Sequence, residues 1–414
     1  MKDLIMILSS VLFGMLFIFL VFIFSIFIAS RFFTPSGKKF EPSVSVVIPA
    51  YNEEKNIQEC VDSVFNSNYP KEKMEVIVVD DGSKDNTLKI LKKYKNIHVL
   101  RQNHLGKVEA LNLGVRNSTH QFVFTVDADT TLDENCIKEL MMPFADEIVG
   151  ATTGNNTVKN KKSLVSYFQN IEYHFINLIA NSFSTVFNNG IWFSGSLACY
   201  RKATLKKIGH FKKDTLAEDQ DIALEMRKAG YKTINSPRAF GHTVVPATFK
   251  ELYRQRARWW IGTLQSIVKN KSLFSRKSSP SILFFYISQF WWSFYAFLSL
   301  PLIIYQVNYW LPYNTQSSLS IFNYFFKWFS LLGPISVVYK IPENGISLYS
   351  IFGVMSGIIT TVLSISALRT FKDRINLKNI FAIFFYFPYT IVLNIIILVS
   401  ILRNRFWVKS YYIK

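Results

Sequence analysis

The chain has 414 residues, is 50% hydrophobic and 16% aromatic, and carries a formal charge of +19. Its length allows roughly two to three domains, but the apolar residues crowd at the two ends, which excludes an ordinary soluble one-domain enzyme. No charged residue occurs over 4–30, 278–326, 344–368 or 379–402, and about 20 apolar residues in a helix suffice to cross the bilayer core.

The first apolar block outlasts the roughly 7–15 residues of a signal peptide and lacks a small-residue cleavage site before Arg31, so residues 1–30 read as a retained membrane helix. Basic residues flank the apolar blocks at Arg31, Lys38, Lys39, Lys269, Lys271, Arg276 and Lys277. The positive-inside rule puts them, and the mixed-polarity domain over 41–243, on the cytosolic face. Cys60, Cys136 and Cys199 are odd in number and widely separated. They suggest neither a disulfide framework nor a zinc site, which fits a reducing compartment. Nucleic acid is not an expected partner, because the basic runs accompany no recognised binding module.

Within 41–243 short apolar runs at 44–48, 75–79, 97–100 and 121–126 alternate with helical patterns at 54–66, 86–95 and 107–115. This is the pattern of βαβ units around a mostly parallel sheet. Ligands of such sheets lie beyond the carboxyl ends of the strands. There the chain places Ala50-Tyr51-Asn52-Glu53, then Asp80-Asp81-Gly82-Ser83, then Asp127-Ala128-Asp129. Each motif alone also suits a turn or a helix cap; their joint placement at strand ends is what points to a ligand. A departing nucleotide diphosphate needs a hard divalent cation, which carboxylates hold. Asp127 and Asp129 can put one carboxylate on the nucleotide and the other on the metal. Lys107 opens a helix whose positive end favours anions.

Further on, residues 193–201 read as a strand after a small-residue turn, where backbone can approach a ligand. Glu218-Asp219 then opens a helix, and a carboxylate is needed to take the proton of an acceptor hydroxyl; Asp219 is assigned that role. In Gln255-Arg256-Ala257-Arg258-Trp259, helical spacing puts Gln255, Arg258 and Trp259 on one face. Arginine can grip a diphosphate and an indole can stack on a sugar, although an interfacial amphipathic helix over 244–277 has the same composition.

In this order and spacing, these motifs resemble the processive, membrane-embedded family 2 glycosyltransferases, which include cellulose, chitin, hyaluronan and poly-N-acetylglucosamine synthases. The resemblance implies an α/β GT-A (Rossmann-like) cytosolic domain joined to an α-helical transmembrane bundle. It implies that Ala50, Tyr51, Glu53 and Asp81, with Asp80 beside them, hold the uridine end of a UDP-sugar. Lys107 and Asp127 would hold the nucleotide, Asp129 a Mg2+ or Mn2+ ion, and Asp219 would be the base. Arg256 and Arg258 would hold the diphosphate, with Glu218, Gln255 and Trp259 at the acceptor end. Two features depart from the family: Ala217 stands where many relatives have Thr, and one helix precedes the catalytic domain where poly-N-acetylglucosamine synthases often have two.

The expected activity is inverting, metal-dependent polymerisation of a UDP-sugar, foremost UDP-N-acetylglucosamine, with export of a β-linked polysaccharide across the plasma membrane. Single addition to a membrane lipid and a non-catalytic export or scaffold role are the alternatives. The partners are then the donor, the growing polysaccharide and the bilayer, with room for an accessory membrane subunit. The candidate spans are 4–29, 282–306, 347–368 and 379–402 within a membrane region over 278–402, followed by a basic tail over 403–414. Residues 321–339 suit either a span or a re-entrant segment, and the side taken by the basic loop 369–378 depends on which.

Overall fold

The computed structural model describes residues 2–33, 39–310, 322–323, 326, 330–339, 342 and 348–404. The mixed-polarity half of the chain is built on one eight-stranded mixed sheet. Its strands are β1 (Val44–Ala50), β2 (Met74–Asp80), β3 (His98–Arg101), β4 (Phe122–Val126), β5 (Thr131–Leu132), β6 (Val149–Val158), β7 (Leu197–Arg201) and β8 (Lys232–Thr243). They lie in the order β3-β2-β1-β4-β7-β6-β8-β5. The first four pair in parallel, as the βαβ pattern requires, whereas β7 runs antiparallel to both β4 and β6. The sequence pattern had suggested neither β6 nor β8. Thr, Asn and two glycines break the apolar alternation of β6, and Pro237 interrupts β8, whose pairing with β6 is irregular between Thr153 and Asn155.

Helices α2 (Ile57–Phe65), α3 (Thr87–Leu91), α4 (Lys107–Asn117), α5 (Cys136–Met141), α6 (Leu164–Phe187), α7 (Lys202–Ile208) and α8 (Glu218–Lys228) surround the sheet. Side chains alternate across a strand, and β1 shows the result. Val46 and Ile48 enter a core with Val61, Val78 and Phe124, while Val47 enters the opposite core with Val79, Leu111 and Val123. Each such side chain contributes about 1.5–3 kcal/mol on burial. Register then aligns the strand ends: Ala50 faces Asp80 across the β1–β2 pair and Val47 faces Thr125 across β1–β4. Residues 51–53, 81 and 127–129 therefore emerge along one edge.

Below the sheet run α1 (Lys2–Ser30), α9 (Phe249–Lys269), α10 (Pro280–Trp310), α11 (Leu332–Tyr339), α12 (Leu348–Thr370), α13 (Leu377–Phe384) and α14 (Tyr386–Asn404). Among the described residues four helices are long and apolar enough to cross a membrane, over Leu4–Ser30, Pro280–Ile304, Ile351–Thr370 and Tyr386–Arg403. The last departs from the expected 379–402 segment, because the helix breaks at Phe385. Pro388 has no N–H for the carbonyl four residues earlier, and that carbonyl, on Phe384, accepts from the Leu331 amide at 3.1 Å instead. The candidate segment at 321–339 lies in part, and the basic tail beyond Asn404 wholly, outside the described residues.

Helix α10 runs antiparallel to α1, with Phe22 against Phe284 and Phe19 against Trp291. Helix α12 runs parallel to α1. Gly14 meets Phe352 near one end, and Ser30 and Thr370 line one cavity at the other. The turn after α12 thus reaches the mixed-polarity half, where Asp373 accepts hydrogen bonds from Lys161, Asn170 and His174 at 3.0, 2.7 and 3.0 Å. His174 is buried there. At the other end of the chain Arg403 donates to Tyr253 of α9 at 3.1 Å.

Candidate active site

The strand-end motifs close on one lysine. The Lys107 ammonium, at the start of α4, lies 2.6 Å from the Asp127 carboxylate after β4 and 3.4 Å from Glu218 at the start of α8. Burial lowers its affinity for the proton, but Asp127 and Glu218 outweigh burial and hold it charged, well above the usual lysine range. Around it the acids outnumber the cation. Burial, then Asp127 and Glu53, push the Asp129 carboxyl up to about 6. Burial also raises Glu53, against a hydrogen bond from Asn56 and with Asp127 and Asp85 adding to the rise. Two threonines steady Asp129: Thr130 and Thr243 donate to it at 3.1 and 3.3 Å.

Asp219 stands on the other side of Lys107 and is oriented by backbone. Its Oδ2 accepts from the Gly195 amide at 2.9 Å, and its Oδ1 accepts from the Gln220 amide at 2.8 Å. A Cβ at residue 195 would lie 2.6 Å from the Asp219 Cβ, so only glycine allows this approach. Burial, then the neighbouring Glu218 charge, push Asp219 up to about 6, against the Gly195 amide and Lys107. A carboxylate so raised is a better proton acceptor near neutral pH than an ordinary one.

Helix α9 braces this base from below. A Cβ at Gly262 would come within 2.4 Å of the Ala217 nitrogen, Gln265 accepts from the Leu216 amide at 2.9 Å, and Lys269 binds Asp221 at 2.6 Å. On the same helix Arg258 is exposed, Gln255 is half-buried and Trp259 is 37% exposed. Tyr173 of α6 lies 6.5 Å from the Trp259 ring.

Four residues expected to touch the donor are engaged otherwise. Arg256 is buried and pairs with Glu172 at 2.9 Å, so it does not reach out toward a diphosphate. Asp80 is wholly buried, accepts from the Ser83 amide and faces Arg101 at 3.3 Å. Asp81 accepts on one oxygen from Gln102 and the Leu105 amide and on the other from His104 and the Gly106 amide. With these four contacts Asp81 shapes the 102–106 loop. Ala50 is buried and spends its carbonyl on the Asp81 amide. Tyr51 remains 38% exposed, stacked on His104 at 3.9 Å. His104, Gly262, Gln265 and Thr243 carried no sequence signal of their own, because their roles exist only once these elements are packed.

Among the described residues no three His, Cys, Asp or Glu side chains converge as a metal cage. Asp129 nevertheless fits a divalent cation that keeps water and phosphate oxygens as its other ligands, since it is a half-buried carboxylate raised by two acids, with surplus negative charge around it.

Residues 45–209 match the family described as Glycosyl transferase family 2. The chain is 29% identical over 304 residues to a poly-beta-1,6-N-acetyl-D-glucosamine synthase of Staphylococcus epidermidis, covering 70% of this chain and 71% of that one. A synthase of the same name from Staphylococcus aureus is 30% identical over 55% of this chain and 56% of its own. Among solved structures, a mannosyltransferase from Pyrobaculum calidifontis in complex with GDP-Man and Mn2+ superposes with a TM-score of 0.62 at 17% identity. The match covers 96% of this chain and 99% of that one, which shows a shared fold. With the match to family 2 spanning β1 to the end of α7 and a GT-A-like sheet presenting these acids at one edge, the chain is a glycosyltransferase.

Proposed function

We propose that this glycosyltransferase polymerises N-acetylglucosamine from UDP-N-acetylglucosamine at the membrane, with inversion at the sugar carbon. The observation that supports the reading is the joint placement of Asp219, oriented by Gly195 and raised to about 6, and of Lys107 between Asp127 and Glu218. The likeness to two staphylococcal poly-beta-1,6-N-acetyl-D-glucosamine synthases supports the choice of sugar and product.

In this reading the acceptor hydroxyl attacks the anomeric carbon as the bond to the diphosphate oxygen breaks. Its proton passes to the Asp219 carboxylate, and the bond electrons leave with UDP. Lys107, held charged, faces the negative charge that develops on the leaving group. A divalent cation, Mg2+ or Mn2+, at Asp129 would add to that neutralisation when bound. Glu53 and Tyr51 border the nucleotide side, and Arg258 and Trp259 border the acceptor. Glu218 keeps Lys107 on the acid cluster, and Gln255 lies one turn before Trp259 on α9.

The catalytic half and the loop carrying Asp373 then share the cytosolic side, and the helices around α1 and α10 carry the product outward. Membranes given radiolabelled UDP-N-acetylglucosamine should yield label in a high-molecular-weight product. Label confined to organic-soluble lipid would replace polymerisation by single addition to a lipid acceptor.

A further inference from the structure

Arg256 occupies the centre of a buried junction of three helices. Its guanidinium donates to Glu172 of α6 at 2.9 Å and lies 4.4 Å from the Trp259 ring and 5.5 Å from the Tyr173 ring. The same Glu172 oxygen accepts from the hydroxyl of Tyr389, on α14, and Tyr389 stacks on Phe168 of α6 at 5.1 Å. Glu172 and Arg256 are each 8% exposed, and Tyr389 is 2% exposed. Burial works against the Arg256 charge, but Glu172 outweighs burial and keeps it protonated.

A buried charge with one carboxylate partner is fixed in place, because losing that partner leaves the charge uncompensated. Whatever fixes Arg256 also fixes the indole it covers, since a cation over a ring holds best when both are desolvated. Trp259 is the 37% exposed end of this stack, one turn of α9 before the Gly262 that packs on Ala217 beside the base. The other contact of Glu172 is to a membrane helix, so a single carboxylate joins the catalytic domain, the helix beneath the base and the membrane half.

We propose that Glu172 is a positioning residue: through Arg256 it sets the face that Trp259 presents to the acceptor, and through Tyr389 it ties that face to α14. This rests on the reading of Trp259 as an acceptor-side residue. Donor binding, which uses the opposite side of the site, does not depend on it.

The test uses the full chain purified in detergent, with E172Q, E172D and Y389F beside W259A and D219N. Three quantities are measured: UDP affinity by calorimetry, UDP released, and sugar incorporated into product. E172Q should keep wild-type UDP affinity and release UDP with the sugar passing to water as free N-acetylglucosamine, so that sugar incorporated per UDP falls ~10-fold or more, as in W259A, because small misplacements are costly at a reacting centre. E172D, which keeps the charge, should recover part of the loss, and Y389F should fall between. Wild-type incorporation in E172Q alongside loss in W259A overturns the proposal, and so does joint loss of UDP affinity, release and incorporation. If the wild-type chain itself makes no polymer, the proposed function fails instead. The junction is then read by acrylamide quenching of Trp259, taken as the difference between each protein and its W259F form. Unchanged quenching in E172Q overturns the positioning role, and increased quenching supports it.

Discussion

The Gly195 amide donates to Asp219 at 2.9 Å while the Asp219 Cβ occupies the space in which a side chain at 195 would begin. The turn before β7 therefore both aims the carboxylate and leaves room for it. G195A should push Asp219 away from its line to the acceptor and reduce kcat by ~100-fold, since a displacement of about 1 Å has that effect. UDP affinity should stay within about threefold, because Lys107 and Asp127 are untouched. Steady-state kinetics with calorimetry on the same preparation checks both.

The pH dependence follows from the Asp219 carboxyl, which burial and Glu218 raise to about 6. A base must be deprotonated to accept a proton, so kcat/KM should be flat above that value and fall about tenfold per pH unit below it. D219N should abolish transfer and retain UDP binding. E218Q removes the charge that, after burial, raises Asp219 most, so its acid limb should move to lower pH. A limb that stays in place in E218Q would separate the profile from Asp219.

Much of this site was legible in the sequence because its parts are local. Asp127 and Asp129 follow an apolar run, Lys107 opens a helical pattern after Gly106, and Asp219 begins another, so each could be placed at an element end before packing was known. What stayed hidden depends on contacts between distant segments. Glu172 and Arg256 are separated by 84 positions and meet only where α6 packs on α9. The bonds of Asp81 to the Leu105 and Gly106 amides likewise exist only once the 102–106 loop has folded onto it. Strand β6 was hidden for a different reason. Buried on both faces, it satisfies Thr and Asn internally, as when Asn155 donates to the carbonyls of Ser236 and Ala239, so it shows no apolar alternation.

Gly262 is the corresponding test for the brace under the base. A methyl there would meet the Ala217 nitrogen at 2.4 Å and the Leu216 carbonyl carbon at 2.6 Å. Both are backbone atoms, so α9 and the start of α8 must separate. G262A should cost about 1–3 kcal/mol of stability by overpacking and lower kcat more than it raises the donor KM. Thermal unfolding and kinetics on one preparation check it; unchanged kcat would mean that α9 does not set the position of Asp219.

Asp129 predicts the metal response. Its carboxyl is raised to about 6 by desolvation, Asp127 and Glu53, and a cation relieves that crowding. In wild-type protein UDP affinity should rise on adding Mg2+ or Mn2+ and fall with a chelator, and in D129A it should become insensitive to both. Calorimetry with UDP and each ion is the measurement, and equal affinity with and without metal in the wild-type chain rejects the metal role.

Asp373 carries a prediction about assembly of the two halves. Burial raises its carboxyl, but hydrogen bonds from His174, Asn170 and Lys161 outweigh burial and hold it well below the usual range. A carboxyl lower in the folded than in the unfolded chain stabilises the fold above the unfolded value of about 3.9, and that contribution is lost as pH falls below it. D373N keeps the shape but not the charge, leaving Lys161 and His174 with a neutral partner, and should lower stability at neutral pH by about 1–3 kcal/mol. The gap between the two proteins should narrow as the pH falls below that value, because the unfolded wild-type carboxyl then takes up the proton that the folded one resists. Unfolding of both proteins in detergent, followed across pH, reads this directly. A gap that persists unchanged into acid would mean that the substitution acts through shape rather than through the charge that pins the loop after α12 to the catalytic half.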